Sequence, residues 1–363
     1  MHVFKTYFPD APGGVQEAIR AISRYTKDYG FRHSVFTLSP HPVPREIDFE
    51  GDLVHREKQV AAPLSCPIGN WGIFREMRRM AEDADIILYH YPWPFGDLLS
   101  FVVREKPSVV LYHSDIVKQK LSGALYAPLR ERFLDRADVI VATSPNYAES
   151  SVILQKHRNK TKVIPLTAVP DDEPENFDII NKLGLSLSPF VLFVGVLRYY
   201  KGLDTLVKAA RKVRCPVVIA GDGPEREHLQ VLKEQVGAQN VVFVGKITNA
   251  QKKALYKKAS IFAFPSNVRS EAFGISLAEA AMYGVPMVSC EIGTGTSFIN
   301  RDKITGYVIP PNNDELLAQA LNTILCSSKL SEAMRKASRL RWNDELNPSM
   351  FGKRWAELFL TIH

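Results

Sequence analysis

Short apolar runs alternate with amphipathic stretches along almost the whole chain, and that alternation restricts the fold more than any other feature. In the first half the runs are HVFKTYF (from His2), SVFTL (from Ser34), DIILYH (from Asp85), SVVLYH (from Ser108), DVIVAT (from Asp138) and KVIPL (from Lys162). Between them stand segments such as VQEAIRAISRYTKDYG, whose apolar residues recur at steps of three and four, the period of one helix face. Such alternation builds parallel sheets covered by helices on both faces. AVPDDEPENFD (from Ala168), acidic and broken by proline, reads as a polar connection. The pattern then restarts with FVLFVG, PVVIAGDG, NVVFVG, SIFAFPS and PMVSC. The expected fold class is therefore α/β, with two Rossmann-like parallel-sheet domains over 1–168 and 169–345. The amphipathic stretch 346–363 is assigned to the first domain, to which two-domain chains of this kind often return their last helix.

A length of 363 residues suits two domains. Apolar residues at 45% and charged residues at 23% belong to a soluble globular protein, and no run approaches the ~18 to 20 apolar residues of a membrane span. The start, MHVFKTYFPDAPGG, lacks an apolar core followed by a small-residue cleavage site, so no signal peptide is expected. Cys66, Cys215, Cys290 and Cys326 lie far apart without zinc spacing. They are expected as buried small hydrophobes in a reducing compartment, which places the protein in the cytoplasm. The formal net charge of +7 favours anionic partners. Arg75, Arg78 and Arg79, and again Lys156, Arg158, Lys160 and Lys162, read either as solvated helix faces or as a foothold on an anionic membrane. With no nucleic-acid reading module, no nucleic-acid partner is expected.

Four stretches carry chemistry. In PDAPGGVQEAI, Gly13 and Gly14 stand where a strand turns into a helix, and missing side chains there let backbone amides approach a phosphate. The same pair serves packing equally well, and GxGxxG is absent. In VLRYYKG, Arg198 and Lys201 occupy a strand-to-helix loop, where a guanidinium and an ammonium suit a diphosphate or simply face solvent. In FAFPSNVRSEAFGISLAEAAMYGVPMVSC, Glu271 lies in a loop, Phe273 and Gly274 are expected to begin a helix, and Glu279 is expected about two turns inside it. That spacing offers helix-start amides to a diphosphate, one acid to a sugar and another to a ribose. In YHSDIVKQK, His113 and Asp115 emerge at a strand end, and His90 in YHYPWPFGD holds the same kind of position one strand earlier. Histidine at such an edge shuttles a proton or orients a hydroxyl, or is only a bonded loop residue.

Together these stretches resemble the retaining glycosyltransferases of family four, whose fold is GT-B: two Rossmann-like domains facing a central cleft. Glu271 to Glu279 matches the family's E-x7-E motif, and AGDGPEREHL (from Ala220) and FVGKITNAQKKALY (from Phe243) look like its donor-domain segments. YHSDIVKQK, TSPNY, VLRYYKGLDTL and EIGTGTSFINRDKITGYVIPP are similar to bacterial mannosyltransferases that build O-antigen and other surface polysaccharides. The resemblance implies transfer of mannose from GDP-mannose to a lipid-linked or oligosaccharide acceptor at the cytosolic membrane face. A GDP-rhamnose or UDP-sugar donor on the same fold is the alternative. By position, Glu271 lies near the transferred sugar, with Phe273, Gly274 and Ile275 beside it. Glu279 holds the ribose, and Gly221, Lys246 and Ile247 line the donor site. Arg198 and Lys201 bind the diphosphate. Gly13 and Gly14 close over the donor, His113 sits at the reaction centre, and His90 and Asp115 lie on the acceptor side. The family's usual Arg after the strand-end VG is Val196 here, so Arg198 takes its place or Lys201 acts alone. No Asp-x-Asp motif is present, and the resemblance implies departure of the nucleotide without a metal, with front-face attack and retention. Two other classes compete: a GT-B sugar-nucleotide epimerase, and a non-catalytic sugar-nucleotide-binding partner.

Overall fold

The structure, a computed structural model, describes residues 1–63, 66–103, 105–115, 120–170, 172–186 and 188–362. The chain divides into two compact units, Met1–Thr167 with the residues from Pro348 onward, and Ala168–Asn347.

The first unit holds an eight-stranded sheet built from β1 (His2–Val3), β2 (Ser34–Ser39), β3 (Glu46–Phe49), β4 (Asp52–Lys58), β5 (Ile87–Tyr91), β6 (Ser108–Tyr112), β7 (Val139–Ala142) and β8 (Thr161–Val163). Their order is β3-β4-β2-β1-β5-β6-β7-β8, and only the edge pair β3 and β4 is antiparallel. β5 (ILYHY) and β7 (VIVA) are buried along their whole length, as strands covered on both faces must be. The apolar runs predict six strands here and miss β3 and β4, whose sequences EIDF and DLVHREK are largely charged. β4 is nonetheless mostly buried because its charges find partners. Arg56 forks onto Asp10 through Nε and Nη2, both at 3.0 Å, and adds the carbonyls of Pro44 and His41. β1 keeps two residues of the seven in HVFKTYF.

The helix Gly14–Thr26 packs on the helix Pro348–Ile362 within this unit. Gly352 makes the close approach: a Cβ there would stand 2.1 Å from the carbonyl oxygen of Tyr25. Phe31 and Phe359 meet edge to face at 5.2 Å on the same seam.

The second unit holds a six-stranded, all-parallel sheet: β9 (Val191–Val194), β10 (Val217–Ala220), β11 (Val241–Gly245), β12 (Ile261–Phe264), β13 (Met287–Cys290) and β14 (Gly306–Ile309). The restart pattern predicts five of them; β14, in the stretch ITGYVIPP, is the addition. The order β11-β10-β9-β12-β13-β14 reverses beside β9. Chains leaving β9 and β12 therefore turn to opposite faces and open a crevice at their carboxyl ends, where ligands bind in such sheets. The first unit has the same reversal between β1 and β5.

Of the four cysteines expected to be buried, Cys215 and Cys290 are. Cys290 ends β13 and Cys215 lies just before β10, whereas Cys66 is half-buried and Cys326, after the helix Asp314–Leu325, is exposed.

Candidate functional site

In the second unit the carboxyl edge of the sheet is paved with glycine. Gly195 follows β9, Gly221 follows β10, and Gly245 ends β11. Gly221 has φ 135, donates its N–H to the Gly245 carbonyl at 2.8 Å, and would place a Cβ 1.9 Å from the carbonyl oxygen of Gly195. Three strand ends thus touch backbone to backbone and leave the edge open for a ligand to approach closely. Gly221 is among the predicted residues; Gly195 and Gly245 join it, and the recurring VG at strand ends is the signal that marks them.

The turn after β9, Tyr199–Lys201, is followed by Gly202 at φ 63. A Cβ on Gly202 would lie 2.1 Å from the carbonyl oxygen of Pro265, so glycine lets this turn sit on the end of β12. The same contact brings Lys201 to Glu271. Lys201 Nζ lies 2.5 Å from Glu271 Oε2, both side chains nearly buried, and 4.8 Å over the ring of Phe264. Ser266 Oγ approaches Oε2 at 3.4 Å. Among the described residues the ammonium has this one hydrogen-bond acceptor, and Glu271 Oε1 has no donor. An ammonium carries three N–H donors and a carboxylate about four acceptor positions, so both ends keep capacity for a ligand.

Arg198 stands just before this turn, exposed; its carbonyl accepts from the Lys201 N–H at 3.0 Å, and its guanidinium has no hydrogen bond or ion pair among the described residues. Val196 is half exposed and supplies no charge.

The helix Ile275–Met282 is capped by Gly274 at φ 92, so it starts two residues later than Phe273. Glu279 therefore lies little more than one turn inside it, rather than two. Its first amides, of Ile275 and Ser276, have no acceptor in a preceding turn and carry the positive end of the helix dipole. Buried Phe273 is braced by Gly295, where a Cβ would come within 2.8 Å of Phe273 Cα.

Glu279 is held by two side chains that its motif does not announce. Lys252 Nζ donates to Oε1 at 2.6 Å and the Tyr256 hydroxyl lies 3.0 Å from Oε2. Lys252 and Tyr256 are four residues apart on the helix Asn249–Lys258, hence on one face. That helix starts with a reciprocal cap: Gln251 N–H donates to Thr248 Oγ1 at 3.2 Å, and Thr248 N–H to Gln251 Oε1 at 2.9 Å. Exposed Lys246 and half-buried Ile247 connect β11 to the cap.

In the first unit Gly13 caps and Gly14 opens the helix Gly14–Thr26, both exposed and without a side-chain cap. Gln16 ties this turn back to Thr6 through Oγ1 at 2.9 Å. His113 follows β6 and donates its N–H to the Tyr91 carbonyl at 3.0 Å. Burial pushes its imidazole down to about 3. His90 does not meet an acceptor at a neighbouring edge: it is 2% exposed, and both ring nitrogens are taken, Nδ1 by His113 Nε2 at 2.9 Å and Nε2 by His2 Nδ1 at 3.0 Å. Pointing back along the sheet, it stands behind His113. Asp115 fastens the loop after β6, accepting from Tyr112 OH at 2.8 Å and Ser151 Oγ at 3.0 Å while its N–H donates to Tyr147 OH. Residues 116–119 of YHSDIVKQK lie outside the described residues.

Two further clusters have no counterpart among the predicted residues. Asp97 is buried against the Tyr126 hydroxyl, and burial raises its carboxyl to about 8. His55, Glu57 and Glu76 have ligand atoms within 4.8 Å of one another, but Arg45 and Arg79 already pair with the two acids.

Residues 12–168 match the family model Glycosyltransferase Family 4, and residues 175–341 match Glycosyl transferases group 1. O-antigen chain mannosyltransferase C of Escherichia coli is 40% identical over 364 residues, covering 100% of this chain and 98% of the relative. A D-rhamnosyltransferase of Pseudomonas aeruginosa is 41% identical over 345 residues, covering 94% and 90%. Among solved structures, sucrose-phosphate synthase from Thermosynechococcus elongatus shares the fold with a TM-score of 0.81 at 21% identity, covering 99% of this chain and 98% of that one.

Proposed function

The chain belongs to the family 4 glycosyltransferases, and from that membership we propose that it transfers mannose from GDP-mannose, with retention and without a metal, to a lipid-linked or oligosaccharide acceptor in surface polysaccharide synthesis. The observation that carries the reading is the Lys201–Glu271 pair at the β9/β12 reversal, buried yet with unfilled hydrogen-bonding capacity on both ends. A diphosphate supplies the anionic oxygens that the ammonium lacks, and a sugar hydroxyl supplies the donor that Glu271 Oε1 lacks. As the nucleotide departs, negative charge grows on its phosphates; Lys201, Arg198 and the first amides of the helix Ile275–Met282 stabilise it in place. Those groups cover the electrostatic work that a metal performs elsewhere. Glu279, fixed by Lys252 and Tyr256, keeps lone pairs for the ribose hydroxyls. Gly221, Lys246 and Ile247 border the nucleotide. Gly13 and Gly14 close on the donor, His113 serves the reaction centre, and Asp115 shapes the acceptor side.

The D-rhamnosyltransferase relative favours a second reading, a GDP-linked deoxyhexose as donor. Attachment to the inner membrane face is part of the proposal. No helix among the described residues is long and apolar enough to cross a membrane. Of the basic clusters, Arg79 is paired with Glu76 at 2.5 Å and Lys156 with Glu131, which leaves Arg75 and Arg78 in one cluster and Arg158, Lys160 and Lys162 in the other without an ion pair among the described residues.

The test is a thermal-shift and calorimetric screen without added metal against GDP, UDP, ADP, GDP-mannose and UDP-glucose. Selective stabilisation by GDP and GDP-mannose, weakened in Lys201→Met and Glu279→Gln, supports the donor. A preference for UDP ligands overturns it, and conversion of the nucleotide sugar without acceptor would indicate an epimerase.

A further inference from the structure

Five side chains of the first unit form one continuous hydrogen-bonded string, of which only the first has a place in the proposed reaction. His113 Nε2 meets His90 Nδ1 at 2.9 Å; His90 Nε2 meets His2 Nδ1 at 3.0 Å; His2 Nε2 meets His33 Nδ1 at 2.9 Å; and His33 Nε2 meets Thr26 Oγ1 at 2.7 Å. The sheet register explains the alignment. His90 is paired with Leu111 and His2 with Leu88, so each step crosses to the next strand and descends two residues, staying on one face. His33 continues the diagonal two residues before Val35, the partner of His2.

A neutral imidazole has one N–H and one bare nitrogen, so such a string is polarised in one direction or the other. Its far end decides which. Thr26 Oγ1 also lies 2.7 Å from the carbonyl oxygen of Ile22, one turn earlier in its helix, and that oxygen can only accept. The single hydroxyl proton therefore goes to Ile22, and Oγ1 must accept from His33 Nε2–H. Bare Nδ1 of His33 then accepts from His2 Nε2–H, bare Nδ1 of His2 from His90 Nε2–H, and bare Nδ1 of His90 from His113 Nε2–H. The opposite polarity would press two proton-free oxygens together at 2.7 Å. Burial keeps every ring neutral: the imidazoles of His33 and His113 are pushed down to about 3, and those of His2 and His90 are lowered well below the usual range by burial and, after it, by the neighbouring rings. Thr26 has only carbonyls beyond it, so the string cannot pass a proton onward. It acts as a latch.

We propose that Thr26, His33, His2 and His90 are positioning residues that hold His113 in the Nε2–H tautomer, so that its Nδ1 is a fixed acceptor for a carbohydrate hydroxyl. Use of that nitrogen rests on the placement of His113 at the reaction centre; the tautomer itself does not.

The test is long-range proton–nitrogen NMR of histidine-labelled protein at pH 7.5, with His113 assigned by His113→Gln. The expected spectrum shows His113 protonated at Nε2 and bare at Nδ1. Thr26→Val, of the same shape, removes the anchoring acceptor; it should mix the two tautomers of His113 and slow GDP release from GDP-mannose about tenfold, with GDP affinity unchanged. Thr26→Ser should restore both. A wild-type His113 protonated at Nδ1 overturns the latch, and that reading needs no variant to fold. A tautomer that mixes in Thr26→Val while GDP release is unchanged overturns its use in turnover, without touching the family activity.

Discussion

Lys201 Nζ stands 2.5 Å from Glu271 Oε2 although the two residues are 70 positions apart, one leaving β9 and the other following β12. Burial makes each charge depend on the other, because a lone ion in that position lacks both water and counter-ion. Lys201→Met should lower kcat/KM by about 10²–10³, the usual cost of losing one preorganised charge at a departing group. It should also lower the melting temperature. The double variant Lys201→Met/Glu271→Gln should recover part of the melting temperature and none of the activity. Equal melting temperatures for single and double variants would sink the coupling.

Gly202→Ala tests the contact that creates this pair. Alanine at φ 63 costs about 1–2 kcal/mol, and its Cβ would meet the Pro265 carbonyl at 2.1 Å. The turn must lift off the end of β12, carrying Lys201 from Glu271. We expect a stability loss of ~2 kcal/mol or more in urea unfolding and weaker GDP binding. A variant with wild-type stability would show that the turn does not need glycine.

Alternation carried the strands enclosed by helices, since a strand buried on both faces has to be apolar. It missed β4 because its buried polar side chains are compensated by partners distant in sequence, such as Arg56 and Asp10, 46 positions apart, and β3 because this edge strand is half exposed and need not be apolar. Glu271, Lys201 and Glu279 stood in motifs with distinctive flanks. Lys252 and Tyr256 did not, because a lysine and a tyrosine four apart on a helix are ordinary until a carboxylate is placed against them. The histidine string was harder still. His113 and His90 were visible at strand ends, but only the register shows that His90 turns away from the edge toward His2.

The string sets an acid limit. His33 and His113 have imidazoles lowered by burial to about 3, against about 6.5 in an unfolded chain. Between those values the unfolded state binds protons that the folded state refuses. Stability is thus whole above pH 6.5 and falls as the pH drops toward 3, by up to ~1.4 kcal/mol per pH unit for each ring. Urea unfolding at pH 7.5, 6.0 and 5.0 checks this, and a flat profile would contradict buried neutral rings.

Asp97 acts with the opposite sign. Burial raises its carboxyl to about 8, the Tyr126 hydroxyl opposing the shift, whereas an unfolded aspartate titrates near 3.9. Between those values the folded state holds a proton that the unfolded state has released, so stability is lost as the pH rises through the window. Asp97→Asn keeps the shape and removes the titration. Its stability relative to wild type should improve on going from pH 5.5 to 7.5, by up to ~1.4 kcal/mol per pH unit. A difference that stays constant across that range would place Asp97 ionised in the fold.

Thr248 links local helix chemistry to donor affinity. Its side chain and that of Gln251 satisfy two amides at the start of the helix Asn249–Lys258, and the same helix delivers Lys252 and Tyr256 to Glu279. Thr248→Ala removes one of those caps and should cost about 1 kcal/mol of stability. The first turn then frays, and Lys252, at its end, loses its fixed approach to Glu279 Oε1. Glu279 swings more freely, so part of the binding energy for the ribose goes into ordering it. KM for the donor should rise severalfold while kcat stays close to wild type, because neither Lys201 nor Glu271 lies on that helix. Thr248→Ser retains the hydroxyl and should restore KM. A fall in kcat at unchanged KM would instead tie this helix to the chemical step and remove Glu279 from nucleotide binding.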